Sequence, residues 1–233
     1  TNDTISSGSF CSVMSGSFTI NAAGSGATNF TTFTSAINAL TCAGINGAVT
    51  FNVANGTYNE SIVLPAITGS SATNTVTFVS ASGVASNVIL AGQAAQLYTV
   101  QMNGASNVSF RKMSFTISTN AAATTSNILF NGGSNFNTFD SCIFNGTAAV
   151  TTKYHVYDVA ASANHQNTFT NNTFGANGSG IYLASTPSDR QPIISNNTFN
   201  SISTVAIYIS TSDSAIINKN VINATTLTTF NGI

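Results

Sequence analysis

Apolar and polar residues alternate in short runs along most of this chain, and the runs recur at a nearly constant interval. One stretch departs from that rhythm. In "FTTFTSAINALTCAG" (30–44), Phe33, Ile37 and Leu40 fall on one helical face, which predicts a short helix whose start Thr34 or Ser35 can cap. After it, "GAVTFNVANGTYNESIVLP" (47–65) alternates with period two and is broken by Asn55-Gly56, a turn signal. "NTVTFVSASG" (74–83) and "SNVILAG" (86–92) repeat the style.

The interval is measurable. The apolar centres Val100, Ile128, Val156, Ile181, Ile207 and Ile233 are separated by 28, 28, 25, 26 and 26 residues. A second column is Phe110, Phe139, Phe169, Ile194 and Ile217. A third is Phe115, Phe144, Phe174, Phe199 and Ile222. Second and third columns always stand five residues apart. Five is odd, and a straight strand alternates faces, so both ends can point inward only if the chain bends between them. Short strands joined by bends, repeated every coil, predict a solenoid with stacked interior columns.

A bend needs a residue that tolerates a left-handed backbone, and Asn is the commonest choice after Gly. Two positions before the third column stand Met113, Cys142, Asn172, Asn197 and Asn220. Asn172 and Asn197 are therefore expected to turn the backbone and, with Asn220, to form an amide ladder, while Phe174 and Phe199 stack inside. Cys142 then reads as a small buried apolar residue rather than a nucleophile.

With "FTSAINAL", "GAVTFNVANGTYNESIVLPAI" and repeats such as "PIISNNTFNS", the chain resembles the right-handed parallel β-helix superfamily, the pectate-lyase-like fold, and above all its bacterial secreted or cell-surface members. The expected architecture is an all-β right-handed parallel β-helix of about six to seven coils with a short amino-terminal capping helix. Residues 1–46 are read as amino-terminal segment and helix, and 47–233 as coils. Ile233 begins a further coil, so the solenoid is expected to continue in a longer protein, or to be capped head to tail by another copy in a filament.

Composition narrows the function classes. Charged residues are 5% of the chain and the net charge is −1, with five Lys plus Arg, which excludes electrostatic nucleic-acid binding. No apolar run approaches the ~20 residues of a membrane span. The abundance of Asn, Thr, Ser and Gly suits a secreted or cell-surface protein. Of three cysteines, Cys11 and Cys42 either pair near the amino end or both stay free and buried.

Lyases of the resembled fold would have clustered Asp residues for calcium with Arg or Lys as base, and hydrolases two or three converging carboxylates. Here the acidic residues are Asp3, Glu60, Asp140, Asp158, Asp189 and Asp213. Asp189 and Asp213 lie one coil apart and read as turn-capping residues. Arg111 and Asp140 share a bend position and read as an inter-coil ion pair. In "KYHVYD" (153–158), an inward Val156 would put Lys153, His155 and Tyr157 on one outer face. His165 is placed in a loop without a partner. Following the first column, Gln101, Leu129, Tyr157, Tyr182 and Tyr208 form an outer column, whose tyrosines could stack on sugar rings or dock a partner.

The binding candidates are thus Tyr157, Tyr182, Tyr208 and His155, for a polysaccharide or another surface component. No residue is assigned a catalytic role, and no cofactor or metal is expected. The sequons at Asn171 and Asn196 are read as chance matches in an Asn- and Thr-rich chain. The leading expectation is a non-enzymatic structural or adhesive module. The alternative is a polysaccharide lyase or glycoside hydrolase.

Overall fold

In the computed structural model, residues 11–117, 124–146, 153–158, 161, 163–186, 189–210 and 212–223 are described. The chain winds through three parallel sheets in turn, making about six turns. Sheet one has nine strands, from Asn29–Phe30, Met14–Ile20 and Ile45–Val53 at the top to Ile216–Asn218. Sheet two has seven, from Gly56–Asn59 to Val221–Asn223, and sheet three has six, from Ile62–Pro65 to Ile202–Ile209. Asn55-Gly56 therefore marks a corner between two sheets, because Ile45–Val53 and Gly56–Asn59 pair with different neighbours.

The interior columns stand in register. Val100, Ile128, Val156, Ile181 and Ile207 pair in succession in sheet three, beneath Ile62. In sheet one, Phe51 and Phe78 extend the Phe110–Phe139–Phe169 column upward. Its neighbouring rings stack at 4.9 to 5.4 Å. In sheet two, Phe144, Phe174 and Phe199 stack at 4.6 Å. These rings are fully buried, so truncating one to Ala should cost about 3–5 kcal/mol. Ile233, with the coil it was expected to begin, lies outside the described residues.

The bend is displaced by one residue from its expected place. The left-handed residues are Lys112, Ser141, Asn171, Asn196 and Lys219, with φ of 52° to 57°. In this two-residue corner the left-handed residue turns its side chain outward, and the next one points in. Asn172, Asn197 and Asn220 do the second job. The Asn172 side-chain oxygen accepts from the Cys142 N–H at 2.9 Å, and its amide nitrogen donates to the Phe139 carbonyl oxygen at 2.9 Å. The Asn197 amide likewise donates to the Phe169 carbonyl oxygen, and that of Asn220 to Ile194. Leaving such a buried amide unpaired would cost about 1–3 kcal/mol.

A second pair of inward asparagines, Asn137 and Asn167, works the same way at the corner before sheet one. The Asn167 side-chain oxygen accepts both the backbone N–H and the side-chain amide of Asn137, at 3.0 and 3.1 Å. Their signal was available: both stand two residues before a second-column Phe, as Asn172 and Asn197 stand before the third.

The helix spans Phe33–Ala43 and buries Phe33, Ala36, Ile37 and Leu40. Its N-cap is Thr32, two residues before Thr34 and three before Ser35, the caps expected, and Ser35 instead closes a reciprocal capping box. The Glu60 carboxylate also accepts from the Phe33 and Thr34 N–H groups at 3.0 and 2.9 Å, a favourable place for an anion. A disulfide joins Cys11 to Cys42 in the last turn of the helix. Cys142 is buried, its thiol directed at the Phe110 carbonyl oxygen at 3.3 Å.

Candidate functional site

The outer face of sheet three carries an aromatic stripe. Tyr157, Tyr182 and Tyr208 are direct cross-strand partners on successive coils. The Tyr157 and Tyr182 rings lie 5.8 Å apart at 34°, and the Tyr182 and Tyr208 rings 4.3 Å apart at 11°. Tyr208 is 38% exposed. Tyr154, absent from the expected set, joins them with its ring 4.3 Å from Tyr157 and 5.4 Å from Tyr182.

Tyr154 and Tyr157 reach the same face although three residues separate them. The strand Lys153–Asp158 buries Lys153, His155, Val156 and Asp158, so alternation breaks between His155 and Val156. The expected outer trio of Lys153, His155 and Tyr157 is therefore corrected: only Tyr157 faces out. His155 is fully buried between the Phe144 and Phe174 rings. Its Nδ1 lies 2.8 Å from the Asn127 side-chain oxygen and its Nε2 2.9 Å from the Gly175 carbonyl oxygen. Burial pushes its pKa down to about 4, so the ring is neutral at physiological pH. It is a core residue and does not contact a ligand on this face.

The face itself is uncharged. Partial burial first, and then Tyr208 beside it, hold the Tyr182 hydroxyl above the ordinary phenol value. Partial burial and then Tyr157 do the same for Tyr154. These hydroxyls stay protonated and can donate as well as accept hydrogen bonds.

Three carboxylates elsewhere, those of Glu60, Asp140 and Asp158, are engaged in structure. Asp140 pairs with Arg111 Nη2 at 3.1 Å and accepts from the Asn171 amide at 2.9 Å. With the Arg111 side chain 54% exposed, that pair adds under about 1 kcal/mol. Asp158 is buried and accepts from the Asn164 amide at 2.9 Å. Glu60 caps the helix. The register partner of Asp213 is Arg190, whereas Asp189 faces Ser212. Asp3 lies outside the described residues. Among the described residues no three His, Cys, Asp or Glu side chains gather where they could hold a metal. His165 gains a partner, its Nδ1 accepting from the Arg190 N–H at 3.1 Å.

No protein-family model and no curated protein matches the chain. Solved structures do match its fold. The deglycosylated pectin methylesterase from Aspergillus niger is 14% identical with a TM-score of 0.54, over 95% of this chain and 86% of that one. A penultimately deglycosylated form of that enzyme is 15% identical with a TM-score of 0.54, over 96% and 87%. The chain is a right-handed parallel β-helix. At these identities the likeness is one of fold. The β-helix presents its tyrosine stripe on one sheet, and no helix among its described residues is long and apolar enough to cross a membrane.

Proposed function

We propose that this β-helix is a secreted or cell-surface carbohydrate-binding module that lays a neutral stretch of polysaccharide along Tyr157, Tyr182 and Tyr208. The observation that carries this reading is the register of three tyrosines on consecutive coils, repeating at about the 4.8 Å spacing of neighbouring strands. Because the rings lean on one another along the coils, with Tyr182 and Tyr208 4.3 Å apart, they turn their edges and hydroxyls outward, which offer a sugar chain apolar C–H contact and hydrogen bonds. An uncharged face favours an uncharged ligand. The Cys11–Cys42 disulfide supports an oxidising, extracellular setting. The structural partners of Glu60, Asp140 and Asp158 support binding without bond cleavage.

The fold likeness to pectin methylesterase supports a second reading, in which the chain modifies or cleaves pectin-type polysaccharide. One experiment addresses both. The chain is incubated with a panel of plant and bacterial polysaccharides, and retention, released methanol, unsaturated sugar and reducing ends are measured. Retention that falls in Tyr157→Ala and Tyr182→Ala, with no product, supports the binding module. Product formation replaces it with the enzyme, and retention unchanged in both variants removes the tyrosine face from the account.

A further inference from the structure

A second left-handed bend recurs at the corner between sheet three and sheet one. Its residues are Asn107, Phe136, Gln166, Gln191 and Ser214, with φ of 51° to 61°. Four of the five are polar residues of the kind found at exposed bends. Phe136 is the exception. A bulky ring disfavours the left-handed region, and this one is 53% exposed, so the core does not use it. The fold explains the bend and leaves the phenylalanine unexplained.

Phe136 borders a cleft of about 340 Å³, lined also by His165, Gln166, Arg190, Gln191 and Asp213. Backbone hydrogen bonds place these residues on successive coils. The Phe136 N–H donates to the His165 carbonyl oxygen, Gln166 to Arg190, and Gln191 to Asp213, at 2.9, 2.7 and 2.7 Å. Four rows at coil spacing span about 14 Å, the reach of a short chain of rings.

The polar groups in this cleft are poised rather than consumed. Gln166 Nε2 donates to Gln191 Oε1 at 2.6 Å, which leaves the Gln166 oxygen and the Gln191 nitrogen open. His165 Nδ1 accepts from the Arg190 N–H, so a neutral ring carries its proton on Nε2. Asp213 Oδ1 accepts from the Ser214 hydroxyl at 3.0 Å, and its second oxygen is available to a ligand hydroxyl. Arg190 and Asp213 are cross-strand partners, yet among the described residues the ion pair found within 4 Å is Arg111 with Asp140. The Arg190 fork is thus open to a carboxylate from outside, the partner its geometry fits best.

We propose that this corner is a second binding site, separate from the tyrosine face, for a sugar unit that carries a carboxylate. Phe136 supplies the stacking surface, Arg190 pairs with the carboxylate, and the Gln166–Gln191 pair, His165 Nε2 and Asp213 bond the hydroxyls. The site does not depend on what the tyrosine face binds.

The test is calorimetric titration of the whole chain with a uronic-acid trisaccharide and with its methyl ester, which keeps the rings and removes the charge. The acid is expected to bind, and the ester at least about tenfold more weakly. Arg190→Met and Phe136→Asn should each weaken the acid by at least about tenfold, with Tyr182→Ala unchanged. Phe136→Asn suits the bend, so its melting temperature should hold or rise while binding is lost, which separates a ligand site from a structural role. Equal binding of acid and ester, binding unaltered in both corner variants, loss in Tyr182→Ala alone, or no binding of the acid would each overturn the proposal.

Discussion

Asn197 receives two hydrogen bonds from Asn172. Its side-chain oxygen lies 2.9 Å from the Asn172 backbone nitrogen and 3.0 Å from the Asn172 side-chain nitrogen. Asn220 serves Asn197 in the same way, at 2.9 and 3.0 Å. Asn197 and Asn220 each close three backbone or amide groups that the corner would otherwise bury unpaired, and Asn172, below Cys142, closes two, the Cys142 N–H and the Phe139 carbonyl oxygen. Asn172→Ala should therefore cost about 3 kcal/mol, read as a lower midpoint in urea unfolding. Asn171→Ala, one residue earlier and exposed, should cost only the left-handed backbone preference and a solvent-exposed hydrogen bond to Asp140, together about 1–2 kcal/mol. Equal losses in the two variants would contradict this division of labour.

Glu60→Gln tests how the helix is held on top of the coils. The carboxylate accepts from two N–H groups of the first turn and from the Thr34 hydroxyl at 2.6 Å. The neutral amide keeps one acceptor oxygen and loses the charge at the positive end of the helix. A loss of about 1 kcal/mol is expected, with most of it removed by high salt in the parent. Unfolding midpoints at low and high salt measure it.

His155 gives the chain a pH dependence with a definite sign. Its folded pKa is about 4, against roughly 6.5 in an unfolded chain. The folded value is the lower one, so the unfolded chain takes up the proton first as pH falls. The stability linked to this ring is complete above pH ~6.5 and is lost progressively down to about pH 4, by up to about 3 kcal/mol. Comparing urea midpoints across that window, His155→Gln should show a shallower decline than the parent. Identical slopes would place the ring in water.

Cys142 should be chemically silent. It is buried, and burial first among several causes pushes its thiol up to about 12. A thiol reagent should find nothing to label in the native chain and one group after unfolding without reductant, since Cys11 and Cys42 are bonded to each other. Labelling at a rate near that of a free thiol would disprove the buried placement.

The three interior columns were legible because a solenoid repeats its core. Val100 to Ile207 and Phe110 to Ile217 stack as their spacing requires, and the same logic reaches back to Phe51 and Phe78. The left-handed position was harder. In "TNNTF" and "SNNTF" two asparagines compete, and the equivalent residues of other coils are Lys112, Ser141 and Lys219, which carry no turn signature. His155 was misplaced by strict alternation, because alternation breaks at this point on coil after coil, with Thr99-Val100, Asn127-Ile128, His155-Val156 and Ala206-Ile207 each an adjacent buried pair, and no residue type common to those pairs marks it. The corner cleft was invisible for another reason. Phe136, Gln166, Gln191 and Ser214 are separated by 30, 25 and 23 residues, and loops of unequal length absorb the difference before register is restored. Tyr157, Tyr182 and Tyr208 lie on strands of steady spacing, so their alignment could be read directly.

The measurement closest to the central claim is the affinity of a neutral soluble polysaccharide for the parent chain and for the Tyr157→Ala, Tyr182→Ala double variant. The outward rings contribute little to the core, so the variant should fold and keep its melting temperature within a few degrees. Binding to the parent, weakened at least about tenfold in the double variant and unchanged in Phe136→Asn, is the predicted result. A double variant that binds as tightly as the parent would contradict it.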